Sequence, residues 1–113
     1  MATITPTVTN SEKGVLITWT GVSTADTMEA YLINGGAAKG AFLVFEGTWG
    51  SATVVLKGSN DGSVYVGFKD MTGTTISGTA DVAFNVRTAA KYLNVASSGG
   101  TGDNVNATLF IPR

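Results

Sequence analysis

Apolar and polar residues alternate along much of this chain, in short runs separated by breaks rich in glycine, asparagine and aspartate. Alternation with a period of two is typical of strands that bury one face. We therefore expect about eight strands, at 3–9, 14–20, 41–47, 52–58, 63–68, 81–87, 91–96 and 104–111.

The same alternation predicts which side chains point into the core. The inward sets are Val15, Ile17 and Trp19; Val64, Val66 and Phe68; Val82, Phe84 and Val86; Leu93 and Val95; and Val105, Ala107, Leu109 and Ile111. The run 41–47 is apolar on both faces, which is typical of a central strand covered on both sides.

A chain of 113 residues suits one domain. The edges of many short strands must be paired or protected, which favours a sandwich or a barrel. We therefore predict an all-β fold with a single antiparallel β-sandwich of jelly-roll or immunoglobulin-like kind over 13–113. Residues 1–12 are expected to form an N-terminal arm or an edge strand, because Pro6 cannot donate to a ladder. The segment 26–32 has a capping-box pattern and predicts either a short helical turn or a loop. The glycine-rich stretches 33–40 and 97–102 predict loops.

Composition removes several classes of function. The chain has no Cys and no His, so a thiolate zinc site and a histidine general base are excluded. Only 13% of residues are charged and the net charge is −1, which offers no field for steering onto nucleic acid or an anionic membrane. No secretory signal and no membrane-spanning run is expected, so synthesis in a cytoplasm is predicted.

The most distinctive loop is the stretch GSNDG at 58–62, which lies between two runs of β-formers. Placing Gly62 at the sixth position of an EF-hand puts Lys57 first and Phe68 last, so that motif fails. A strand follows where a phosphate-binding loop needs a helix. Asparagine, aspartate and glycine tolerate left-handed dihedrals, so the loop predicts a hairpin corner. Its structural turn residues are Gly58, Asn60, Asp61 and Gly62.

The second glycine-rich loop is predicted to be structural as well. Gly99, Gly100 and Gly102 lack the spacing of a dinucleotide fingerprint, and a strand follows them. Four aspartates, Asp61, Asp70, Asp81 and Asp103, are the remaining candidates for acid–base chemistry or a hard cation. No spacing brings two of them together, and each lies beside a turn residue. We therefore expect no catalytic residue, no cofactor and no metal.

A family resemblance adds to this picture. The stretch 44–65, VFEGTWGSATVVLKGSNDGSVY, resembles small virion structural proteins of tailed bacteriophages, which read roughly V.GTFG.A.V.L.GSNDGT.W, then L.D..G and, near the end, GGTGT.V.V.L. The matching positions here are Gly47, Thr48, Gly50, 58–62, Asp70, Gly73, 99–102, Val105 and Leu109, together with Thr18, Trp19, Gly21 and Val22 early in the chain.

This chain departs from the family pattern at three places. It has Tyr65 where the family often has tryptophan, Asn94 and Val95 where an Arg-Pro pair is common, and 23–36 in place of a shorter glycine-rich segment. These changes lie in strands or in a long connection, so they bear on partner contacts more than on the fold.

The resemblance implies a non-enzymatic protein that decorates or cements the outside of a capsid. From the sparse charge and the apolar residues near both termini, we expect a homotrimer on the lattice of the major capsid protein. A carbohydrate- or cell-surface-binding module and a tail or neck component are the alternatives. A partner is expected to contact sparse exposed apolar residues, and neither nucleic acid nor membrane is expected. The candidate interface residues are Ile4, Pro6, Val8, Trp49, Tyr65, Phe110 and Ile111.

Overall fold

The computed structural model describes residues 3–32, 40–88 and 90–112, and every regular element within these ranges is a β-strand. The all-β prediction is confirmed. The strands are Thr3–Ile4 (β1), Thr7–Asn10 (β2), Gly14–Val22 (β3), Thr27–Met28 (β4), Tyr31–Leu32 (β5), Ala41–Thr48 (β6), Thr53–Ser59 (β7), Val66–Gly67 (β8), Ser77–Gly78 (β9), Val82–Val86 (β10), Tyr92–Ser98 (β11) and Asn104–Pro112 (β12).

Most strands belong to two sheets that pack against each other. Sheet I has the order β10-β6-β12-β3-β2. Sheet II has the order β5-β11-β7-β8, and β9 pairs with another part of β7. All pairs within both sheets are antiparallel, so the predicted antiparallel sandwich is confirmed. β1 and β4 form a separate parallel pair.

The core lies between the sheets and is built from the alternating positions. The inward sets of β3, β10, β11 and β12 agree with the sequence pattern, and Trp19 is fully buried. Its indole Nε1 donates a hydrogen bond to the carbonyl oxygen of Glu29 at 2.8 Å, so the buried polar atom is satisfied. The rings of Phe45 and Phe84 pack edge to face at 6.0 Å.

A β-bulge in β3 changes which residues face the core. Trp19 pairs with Ala107 and Val22 pairs with Val105. The two pairs are therefore three residues apart on β3 but only two residues apart on β12. Gly21 takes a positive φ of 77°, and its N–H donates to the side-chain oxygen of Asn106. The extra residue reverses the alternation, and therefore Val22 is buried on the same side as Trp19.

The N-terminal segment pairs with its own chain. β2 forms the edge of sheet I beside β3, and β1 lies along β4. The N–H of Glu29 donates to the carbonyl oxygen of Ile4 at 2.8 Å, which fixes this segment near Trp19. Of the two arrangements expected for 1–12, the described residues adopt the edge strand.

Three local predictions need correction or completion. The strand predicted at 63–68 is reduced to β8, with Val64 and Val66 largely exposed, because the backbone before it is held in a loop. The run 41–47 is not covered on both faces, since Phe42 is 49% exposed. The segment 26–32 forms β4 and β5 with a non-helical connection, whereas the loop predicted at 33–40 lies almost entirely outside the described residues.

Candidate functional site

Asn60, Asp61 and Gly62 of the GSNDG stretch lie in the loop that joins β7 to β8, and the carboxylate of Asp61 organises that loop. Asp61 Oδ1 accepts hydrogen bonds from the N–H groups of Ser63 at 2.9 Å and Val64 at 3.0 Å, and from the Ser59 hydroxyl at 3.0 Å. The backbone hydrogen bonds from Ser63 and Val64 hold the pKa of Asp61 below its ordinary value. A carboxylate held in this way is a weak general base at neutral pH.

The glycines of this loop have different roles. Gly62 has a positive φ of 79°, and an added Cβ would lie 3.2 Å from the ring of Tyr92. The prediction that Gly58 is a turn residue is wrong, because Gly58 lies within β7. An added Cβ there would come within 3.0 Å of Ala90, so close packing explains the glycine. Asn60 begins the bend that leaves β7.

A shallow groove of about 570 Å³ lies beside this loop. Its lining is formed by Gly58, Ser59, Asn60, Asp61, Val64, Val66, Gly67, Phe68, Thr88 and Ala90. The one carboxylate in the lining already accepts three hydrogen bonds from the loop, and its hydroxyl neighbour Ser59 donates to it. The groove therefore presents apolar side chains beside Asp61 and Ser59, whose polar atoms are engaged within the loop.

Asp103 is the most deeply buried carboxylate of the described residues and connects two loops. Its Oδ2 accepts hydrogen bonds from the Ser97 hydroxyl at 2.6 Å, the Thr24 N–H at 2.8 Å and the Thr24 hydroxyl at 2.9 Å. Burial raises the pKa of Asp103, but the hydrogen bonds from Ser97 and Thr24 outweigh burial and lower the pKa overall. The cluster is fully satisfied and joins the end of β3 to the end of β11.

The loop next to this cluster contains the three glycines singled out in the sequence. Gly99 and Gly102 have positive φ values of 74° and 67°. An added Cβ at Gly100 would lie 2.6 Å from Cγ of Asp103, so close approach to the carboxylate requires that glycine. The loop is shaped around Asp103.

The other two aspartates also stabilise loops. Asp81 Oδ1 accepts from Nε1 of Trp49 at 2.8 Å and from the N–H of Gly47 at 3.1 Å, and these bonds lower its pKa. Asp70 accepts from the N–H groups of Thr74 and Thr72, again with a lowered pKa. Within the described residues, no three acidic side chains come together as a metal site would require.

An exposed apolar surface on sheet I is the feature that sequence reasoning largely missed. The register aligns Phe42, Phe110 and Leu16 across β6, β12 and β3 on the outward side. Phe42 is 49% exposed, Leu16 is 37% exposed and Phe110 is half-buried. Met71 lies beside Phe42 and Phe110 along a groove of about 260 Å³, and it is 56% exposed. We call Leu16, Phe42, Phe110 and Met71 the outer apolar row.

This surface is almost free of charge. Of the residues in β2, β3, β6, β10 and β12, all of which are described, Glu46 is the one with a formal charge. Its carboxylate accepts a hydrogen bond from the side-chain nitrogen of Asn106 at 3.0 Å. Glu46 lies four residues along β6 from Phe42. Threonines at 18 and 108 occupy the middle of the face. An uncharged face with an apolar row has a low desolvation cost on docking.

The predicted interface residues are dispersed. Phe110 belongs to the outer apolar row, but Ile111 points inward and is 5% exposed, so its assignment to an interface is wrong. The cause is the period of two, which turns neighbours on β12 to opposite faces. Ile4 and Trp49 pack against the core from its rim, and Pro6 and Tyr65 are half-buried. Val8 is exposed on the edge strand β2.

The described residues contain no helix long and apolar enough to cross a membrane. Comparison with protein-family models, with curated proteins and with solved structures gave no match for this chain.

Proposed function

We propose that this chain is a non-enzymatic structural protein of a tailed-phage particle, and that it decorates or cements the outside of the capsid. It is synthesised in the host cytoplasm and acts on the virion surface as a homo-oligomer attached to the lattice of the major capsid protein. The motifs at 44–65 and 99–109 support the phage assignment by resemblance. The physical support comes from the surface of sheet I.

The observation that carries this proposal is the outer apolar row on an almost uncharged sheet face. Exposed apolar patches on small soluble domains mark interaction surfaces. Few charged groups must lose water when such a face is covered, so packing gains apolar burial at low cost. This is a surface suited to protein–protein packing.

The carboxylates support the same conclusion. Asp61 and Asp70 accept several hydrogen bonds within their own loops. Asp81 and Asp103 accept several from residues that are distant in the chain. Their lowered pKa values keep them ionised and engaged at neutral pH. The groups that could perform chemistry are used to shape loops, as a packing module requires.

Stabilisation would follow from mass action. A protein that binds the assembled lattice, and not the free capsid subunits, shifts the equilibrium toward the shell. Contacts at several points per oligomer act together through high effective concentration, so each contact can be weak. No bond is made or broken in this mechanism.

The test compares particles with and without this chain. We expect particles that lack it to lose DNA at a lower temperature and to be more sensitive to osmotic shock, and added purified protein to restore resistance. Equal resistance of both particles would contradict the proposal. A particle with the chain confined to its tail or neck would support that alternative instead.

The carbohydrate-binding alternative has its own readout. Sugar stacking needs exposed aromatic faces, whereas Trp49 packs on the core rim and donates its N–H to Asp81, and Tyr65 is half-buried. We therefore expect no signal for the purified domain on a glycan array. Tight glycan binding that is lost in Trp49→Ala would favour the alternative.

A further inference from the structure

We propose that the outer face of sheet I is covered by the same face of a second copy of this chain, related by a two-fold axis. This deepens the proposed function, on which it rests, by naming the partner of one surface.

Self-pairing requires a face that does not repel itself. A two-fold axis brings each patch against its own copy, so a charge near the axis would meet a like charge. The centre of this face holds Thr18 and Thr108 beside Phe42, Phe110 and Leu16. The one charge, on Glu46, lies toward the far end of β6 and is hydrogen-bonded to Asn106.

The face is also large enough for a specific contact. Five strands spaced about 4.8 Å apart and about seven residues long at about 3.3 Å each cover roughly 550 Å². Two such faces together bury roughly 1,100 Å², which reaches the area of about 1,000 Å² that specific interfaces need. The molecule measures 36 × 28 × 27 Å, so this patch occupies more than half of one side of it.

Sheet II does not offer an equivalent surface. Its outward residues on the central strands include Lys57, which pairs with Asn94 in the middle of the face. The loop after β7 folds over one end of that face, where Gly62 lies against Tyr92. A second copy would have to bury the Lys57 charge and displace the loop.

The edge of sheet I at β10 is also covered within the chain. The N–H of Met71 donates to the carbonyl oxygen of Asn85 at 3.0 Å, so a backbone group of that edge strand is already paired. This contact also places Met71 next to Phe42, where it extends the apolar row. Association is therefore directed to the face of sheet I and away from this edge.

The experiment is sedimentation equilibrium of the purified full chain and of three variants, with far-UV circular dichroism as the check on folding. Phe42→Lys and Leu16→Lys each place a charge in the row. Both positions are exposed to solvent in the isolated chain, so a lysine should be tolerated in the folded monomer. Leu32→Lys is the matched control, because Leu32 is 43% exposed on sheet II. A lysine charge that each copy buries in the interface should weaken pairing by about 100-fold or more.

We expect the wild-type chain and Leu32→Lys to sediment at about 23 kDa, twice the chain mass of 11.5 kDa, and both row variants to sediment as folded monomers. A wild-type monomer, the wild-type trimer that is expected from the sequence, or a dimer that survives Phe42→Lys would each overturn the inference. Particle occupancy separates this result from the proposed function. A monomer that still decorates capsids overturns only the pairing, and a dimer that binds no particle overturns only the capsid role.

Discussion

Two neighbouring rows of sheet I differ by one residue on each strand and have opposite environments. Leu43, Leu109 and Ile17 align across β6, β12 and β3 on the inward side, and all three are fully buried. Phe42, Phe110 and Leu16 align one step away on the outward side and meet solvent. Both rows consist of large apolar residues. Burial is therefore decided by what covers a face, and the inner row is covered by sheet II.

Replacing one leucine of each row by alanine should give the largest difference between the two rows. We expect Leu43→Ala to lower the free energy of unfolding by about 3 kcal/mol, because it leaves a cavity in a packed core. Leu16→Ala removes the same atoms from a side chain that is 37% exposed, and should cost the monomer less than about 1 kcal/mol. Urea unfolding at low protein concentration measures both. Equal losses of unfolding free energy would show that the side chains of the two rows are equally buried.

Polar groups should show the same contrast between buried and exposed positions, and Asp103 is a buried carboxylate. Asp103→Ala should lower the free energy of unfolding by about 2 kcal/mol, since the Thr24 N–H and the Ser97 hydroxyl lose their acceptor at a partly buried site. Asp61→Ala, in an exposed loop, is the control and should cost less and leave assembly intact. Thermal unfolding followed by circular dichroism compares them, and the reverse order of losses would contradict this account.

The loop that covers sheet II depends on the backbone of Gly62. We expect Gly62→Val to destabilise the fold by about 1 kcal/mol or more, because a β-branched residue is strained at positive φ. Gly67→Val is the matched control, since an added Cβ at Gly67 meets nothing within 4 Å and valine favours strands. Chemical denaturation of the two variants provides the comparison. A harmless Gly62→Val would mean that the loop is not held in this conformation.

The smallest expected effect is the response to acid. The folded-state pKa of Asp103 lies below its ordinary value of 3.8, so its stabilising contribution is fully present above that value and is lost as the pH falls through the folded pKa. Unfolding midpoints should therefore fall as the pH is lowered below about 4. In Asp103→Asn the unfolding midpoint should depend less steeply on pH. An unchanged slope of midpoint against pH would show that Asp103 does not contribute to the acid response.

Much of this fold could be predicted from the sequence, because alternation is a local signal. The inward sets of β10 and β12 are correct in the structure for that reason. The burial of Val22 could not be predicted from period two, since the bulge at Gly21 shifts the alternation by one. The two-residue strands β4, β5 and β9 have no pattern of their own and exist through pairing with distant partners.

The outer apolar row is harder to predict than the core. The local pattern predicts that Phe110 points away from Leu109, but it does not single out Phe42 or Leu16. Phe42 and Val44 follow the apolar pattern of a strand buried on both faces, and only the assembled sheet shows that Phe42 is 49% exposed. Register across three strands, which joins residues 16, 42 and 110, is not readable from any single run.

Electron cryo-microscopy of intact particles would show both the location of this domain and its neighbours. We expect many symmetric copies on the outside of the shell, with Phe42 and Phe110 of each copy covered by a second copy of the chain. A shell that lacks the domain would contradict the proposed function. Copies on the shell with the outer face of sheet I open to solvent would contradict the pairing.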